Sequence, residues 1–397
     1  MRDLIVAGTV VLVFFLFLAY LEIKHYNIVL SIILGALLVL GSNFIQGVSA
    51  GFYAPIAGDA RSGTLIPNST DGQEYYHDAL RVTDSFDFLR HYNEIQPTLH
   101  QHSHTHPPGA VLTFYFLEKW LRNPALIAIA VMLIAIILSC FFVYKILLIY
   151  CGSDIARYGA FLFTLLPAVQ IYYLATLDAI VAALLTGTLY LFCFGVGKRA
   201  VVGAVFMLVT AFLLTFVSLF ILPVLVVFEL ITRRQLNRSL ILIGGVIFAH
   251  LILYLFTGYN AVESFHTATI YENPKGFMLL VDPVNYFFTR LEDVAEIILF
   301  FGPFLFVLFI RGIKGFDFQP LHILTILGCV TLLLMYITGA WRTGETARAC
   351  IFIYPYLLFP VCRYLKDNNV NALERRQLAF LVFFQSVAMQ TFGHYHW

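Results

Sequence analysis

Residues 124–148 read Pro124-Ala-Leu-Ile-Ala-Ile-Ala-Val-Met-Leu-Ile-Ala-Ile-Ile-Leu-Ser-Cys-Phe-Phe-Val-Tyr-Lys145-Ile-Leu-Leu148, with a single charge near the end. A helix needs roughly 20 apolar residues to cross a bilayer, and this stretch supplies them without interruption. It is one of twelve such runs. The others lie at 4–20, 27–46, 158–176, 179–197, 200–214, 217–232, 239–257, 291–310, 320–339, 349–365 and 376–394. The whole 397-residue chain follows suit, being 60% hydrophobic and 12% charged, with a mean hydropathy of +0.85. Soluble domains carry roughly 25% charged residues, so an ordinary soluble globule is excluded. The expected fold class is an all-α polytopic membrane protein, a single multi-pass domain over 1–397 with about twelve transmembrane helices. Its net charge of +1 gives no signal for nucleic acid.

Several features set the topology. No small-residue cleavage pattern follows the run 4–20 before Glu22-Ile-Lys-His25, so that run reads as an anchor. With the amino terminus outside, the short inner loops hold fourteen of the 24 Lys and Arg residues, from Lys24 to Arg376. Segments 47–123 and 258–290 then become outer loops. The run 200–214, at 1.5 Å per residue, covers only about 23 Å, short of the roughly 30 Å hydrocarbon core. With its neighbour 217–232 it suggests a notch at one membrane face. All six cysteines sit in or beside apolar runs without CxxC spacing, which reads as packing.

The first outer loop carries most of the chemistry-bearing residues. Between 47 and 109 there are seven carboxylates (Asp59, Asp71, Glu74, Asp78, Asp84, Asp87, Glu94) against three arginines. From Asp71 to Tyr92 apolar residues recur at helical spacing (Tyr75, Ala79, Val82, Phe86, Leu89), predicting one amphipathic helix on the membrane surface. Four histidines at spacing two, His100 to His106, would share one face of an extended segment, a pattern able to bind a divalent metal such as zinc or copper. Pro107-Pro108 would stiffen it instead as a structural turn. Ala110–Trp120 reads as a short interfacial helix with Lys119, Trp120 and Arg122 as anchors.

Two isolated charges stand out elsewhere. Asp178 is the only charged residue between Tyr158 and Gly197, which places it at the outer tip of a helical hairpin. A carboxylate there is a functional candidate by default, or the N-cap of the following helix. Near the carboxyl end, Arg342, Glu345 and Arg348 precede an apolar span at the outer face. Guanidinium pairs bidentately with phosphate oxygens, and Glu345 is spaced to orient Arg348 on a helical turn.

Taken together, these segments resemble the membrane-embedded glycosyltransferases of the C superfamily, nearest the protein O-mannosyltransferase and aminoarabinose transferase branch. The matching stretches are Asp71-Gly-Gln-Glu-Tyr-Tyr-His-Asp-Ala79, His106-Pro-Pro-Gly109, Leu166-Pro167 through Asp178, and Gly344-Glu345-Thr-Ala-Arg348. Gly72 stands where the family usually has Glu, leaving the catalytic acid open between Asp71, Asp59 and Asp78. The resemblance implies a polyprenyl-phosphate-linked sugar donor, inverting displacement, and a protein, glycan or lipid acceptor arriving from outside. It implies that Arg342, Arg348 and Glu345 hold the donor phosphate. Glu74, Tyr75, His104, His106, Asp178 and His266 are the substrate-binding candidates, with the loop 258–290 as a cap. No metal ligand set is implied, and apart from the divalent metal of the His run no cofactor is indicated. The expected location is a plasma membrane, or the endoplasmic reticulum in a eukaryote, where the sequon Asn68-Ser-Thr70 would matter. The competing class is a secondary transporter or flippase, though the chain shows no internal repeat. A scaffold or metal sensor built on the His run explains only one segment.

Overall fold

The computed structural model describes residues 2–58, 74–272, 274–314, 318–339 and 345–393. Every element among them is helical, and there is no strand. Among the described residues, six helices are long and apolar enough to cross a membrane: Arg2–Ile23, Pro124–Leu165, Gly197–Leu214, Phe216–Arg233, Asn237–Thr257 and Pro320–Ile337. A seventh span is made if the bent pair Pro283–Phe301 and Pro303–Lys314 counts as one, and Ile28–Phe44 and Leu177–Cys193 are shorter apolar helices. Each of the twelve expected segments carries helix. The protein is an integral, multi-pass, all-α membrane protein.

Three breaks depart from the sequence expectation, and each has a local cause. The stretch Pro124–Leu165 is two helices broken at Gly152, whose φ of 77° and ψ of 166° no helix accommodates, and they fold back on each other so that Cys140 Sγ lies 3.8 Å from Ala160 O. The expected span 158–176 stops at Leu165, because Leu166 is extended ahead of Pro167. Pro167 brings no amide hydrogen, so the break leaves carbonyls without helical donors. Side chains supply them: Gln170 Nε2 donates to Thr164 O at 2.6 Å and Asn43 Nδ2 to Gln170 O at 2.7 Å. Ser42 Oγ donates to Gln170 Oε1 at 2.8 Å, and Gln390 Nε2 to Asn43 Oδ1 at 3.1 Å. The third break lies inside the expected span 291–310, where Gly302 (φ 103°) turns the chain by 99°.

Charged loops gather at the two ends of the bundle as the Lys and Arg pattern requires. At one end Arg375 pairs with Asp154 at 2.6 Å, Arg376 with Glu22 at 2.5 Å, and Lys366 donates to Tyr150 O at 2.6 Å. All of these belong to the segments assigned inside. The core is tightly packed and aromatic, with Phe14 of the first helix stacked on Phe383 of the last at 4.5 Å. Five cysteines are buried, Cys329 is half-buried, and none is paired. The helix Asn237–Thr257 is the opposite case, with only 11% of its most apolar window buried. Its exposed Leu240, Ile247, Phe248 and Leu255 form a lipid-facing surface.

Candidate active site at the outer end

The first outer loop is not one surface helix. Glu74–Ala79, Ser85–Arg90 and Tyr92–Ile95 are three short helices. The chain restarts at Asp84, whose carboxylate accepts from the amides of Phe86 (2.9 Å) and Asp87 (2.8 Å) as an N-cap. Nor is the His run extended. Gln101–His104 is a single helical turn, which scatters the four imidazoles over different faces.

Two carboxylates of the preceding helix hold that turn. Asp78 accepts from the backbone amide of His100 at 3.0 Å and from its ring Nδ1 at 2.8 Å, and it also pairs with Arg81 at 3.4 Å. Glu74, one turn earlier and buried, accepts from the amide of His102. Both are thus occupied in satisfying the first amides of a turn, which have no helical acceptor of their own. Tyr92, buried and unremarked in the sequence, closes the turn from the other side. Its hydroxyl donates to Ser103 O at 3.1 Å and His106 O at 2.6 Å.

After the turn, Pro107 and Pro108 lead into the helix Gly109–Leu121. A β-carbon at Gly109 would stand 2.4 Å from the carbonyl oxygen of Leu213, so only glycine lets these two segments approach. Tyr75 packs against this helix and turn, parallel to Phe114 at 6.4 Å and edge-on to His106 at 5.2 Å. Burial raises the Tyr75 hydroxyl well above its ordinary range, so it stays a proton donor. It lies within electrostatic range of Asp178, Arg348, Glu74 and Glu345.

Asp178 is at the tip of its hairpin, at the same end of the bundle as the His turn, but it is not the cap. Thr176 is the N-cap of Leu177–Cys193, accepting from the Ala179 amide at 3.4 Å, which leaves the Asp178 carboxylate available to another partner. That partner is Arg348, whose Nε lies 3.7 Å from Asp178 Oδ2. Arg348 Nη2 also pairs with Glu345, three residues earlier on the same turn. The Arg348 side chain is only 13% exposed, against 49% for Glu345. Segments some 170 residues apart in sequence thus meet around one guanidinium.

The remaining candidates are distributed as follows. His104 stacks on Tyr271 of the helix Ala261–Glu272 at 4.3 Å, and burial lowers its basicity. The two outer loops are further joined by a reciprocal pair, Asn93 Nδ2 to Asn260 O and Asn260 N to Asn93 Oδ1, both at 2.9 Å. Gln96 Nε2 adds a bond to Ser264 O at 3.1 Å. His266 is exposed on the outer surface of the same helix. Asp59, Asp71 and Arg342 lie outside the described residues. Among the described residues, no three of His, Cys, Asp and Glu converge to hold a metal ion.

His106 offers a direct check of this packing. Burial, the neighbouring His102 and Arg348 push its imidazole from 6.5 down to about 3. Between those values the unfolded chain binds the proton and the folded one does not, so stability rises with pH and is lost as pH falls. The loss is about 1.4 kcal/mol per pH unit for one whole proton. The thermal midpoint should therefore drop from pH 6.5 toward pH 4, and His106→Gln should flatten that slope. An unchanged slope in the variant would contradict a buried, neutral His106.

No family model and no curated protein matches the chain. Among solved structures it is similar to the crystal structure of ArnT from Cupriavidus metallidurans in the apo state, with a TM-score of 0.47 and 16% identity. The match covers 75% of this chain and 57% of that one, so the chain spans a little over half the length of ArnT.

Proposed function

We propose that this membrane protein is a glycosyltransferase that moves a sugar from a polyprenyl-phosphate-linked donor to an acceptor at the outer face. The observation that supports this most is the meeting of Arg348, Asp178 and Glu345 at one end of the bundle, within electrostatic range of Tyr75. In this reading the guanidinium of Arg348 receives the donor phosphate, and the more exposed Glu345 is the partner that the phosphate displaces. Asp178 stays to hold the Nε side, and Arg342 joins as the second cation. Charge developing on the leaving phosphate is stabilised by donors already in place. Inverting displacement needs the base on the face opposite the leaving group. Asp178, bound to the same guanidinium as the phosphate, is therefore assigned to the donor side. The base falls to a loop carboxylate, with Asp71 first and Asp59 next. Asp78 stands behind them because its carboxylate already serves His100 and Arg81. Tyr75, His104 and His106 line the acceptor and sugar side, and the loop bearing His266 covers them.

Mass spectrometry of lipid co-purified with the protein tests this reading. A polyprenyl phosphate or its glycosylated form is expected. The bent pair Pro283–Phe301 and Pro303–Lys314 is the feature that favours a carrier, since carriers bind at discontinuous helices. Solute flux without sugar transfer, and no polyprenyl lipid, would establish that alternative. The His turn is assigned a structural role, so dialysis against EDTA should leave transfer unchanged. Stoichiometric metal removed together with activity would overturn that assignment.

A further inference from the structure

Asp293 and Glu296 sit three residues apart on the helix Pro283–Phe301 and face the same short turn, Thr346–Ala349. The Asp293 side chain is fully buried; it accepts from the Thr346 hydroxyl at 2.5 Å and pairs with Arg290 Nε at 3.1 Å. Glu296 accepts from the Thr346 amide at 3.1 Å and from the amide of Ala347. Arg290 is itself fixed, donating to Tyr336 O at 3.1 Å and lying over the Tyr286 ring at 4.9 Å. The turn has four residues and no side-chain N-cap of its own. A helical segment that short has no intrinsic stability, and its first amides need outside acceptors. Its orientation is therefore set by the two carboxylates, and the residue it carries is Arg348.

We infer that Asp293 and Glu296 are positioning residues for the Arg348 guanidinium, an inference that rests on the phosphate-binding reading of that site. Glu296 acts on Arg348 through the backbone amides of Thr346 and Ala347, and Asp293 through the hydroxyl of Thr346.

The test compares Glu296→Met, which removes the acceptor at similar length, with Glu296→Gln, which keeps an acceptor oxygen. Thr346→Val takes the hydroxyl from Asp293 without exposing the buried Asp293–Arg290 pair. Each full-length protein is placed in lipid nanodiscs, and two quantities are read: hydrogen exchange of the amides in 345–350, and binding of a polyprenyl phosphate. Glu296→Met and Thr346→Val should speed exchange and weaken binding by about tenfold each, roughly one buried hydrogen bond. Glu296→Gln should restore most of both. In an Arg348→Lys background, Glu296→Met should weaken binding no further, because both changes act through one group. Unchanged exchange overturns the clamp. Faster exchange with wild-type binding overturns its role in positioning. Wild-type protein that binds no polyprenyl phosphate instead refutes the phosphate reading, while exchange still decides whether the carboxylates hold the turn.

Discussion

Arg348→Lys should insert and fold as the wild type does, yet lose at least about a hundredfold in transfer, the scale of removing one transition-state donor. Arg348 uses two different nitrogens toward Asp178 and Glu345, so its contacts depend on the planar fork and not on charge alone. An ammonium is a point charge that satisfies one partner at a time. If the pair only anchored a helix, Lys would serve, since exposed ion pairs contribute roughly 0–1 kcal/mol. Donor affinity and transfer rate, measured beside thermal stability, separate the two. Wild-type donor binding in Arg348→Lys would remove the phosphate clamp from the mechanism.

The second large effect is expected at the loop aspartates, replaced one at a time by Asn. Loss of a general base costs about 10²–10⁴ in rate. That loss is expected for Asp71, or for Asp59 should it hold the role, with little change in thermal midpoint. Asp78→Asn should behave differently. Its carboxylate, with no exposed surface, accepts from the amide and ring of His100. Weakening those bonds should lower stability by about 1–3 kcal/mol and loosen the His turn. Near-normal rates in all three variants would place the base elsewhere.

Much of the architecture was legible because the bilayer imposes a length on every apolar run. The helical hairpin with Asp178 at its tip could be read from a single charge in forty residues. Arg348 and Glu345 could be paired from their spacing, but nothing in either segment said that Asp178 would meet them. The two carboxylates that hold the Thr346–Ala349 turn were invisible for a related reason. Asp293 and Glu296 fall within the first turns of the expected span 291–310 with nothing nearby in sequence to pair them, and their partners lie some fifty residues away. In the first outer loop the helical period runs straight through the restart at Asp84. The Thr83-Asp84-Ser85 cap signature was there to be weighed against it. The alternating histidines misled because alternation implies one face only in extended chain, and bonds from Tyr92, Glu74 and Asp78 wind that chain into a turn. Gln170 is a comparable omission: the Pro167 break was readable, but the side chain that completes it was not.

The sparsely packed helix Asn237–Thr257 has a consequence of its own. It packs on the helix Gly197–Leu214, with Gly245 against Val205 and His250 edge-on to Phe212 at 4.7 Å, and the rest of its surface is left to the surrounding lipid. A change in bilayer thickness costs fractions of a kcal/mol per ångström and is met by tilting. The helix ends at Gly258, and two residues later Asn260 makes its reciprocal bonds with Asn93. Any tilt of this helix would therefore be felt first at the joint between these two loops, two residues beyond its end.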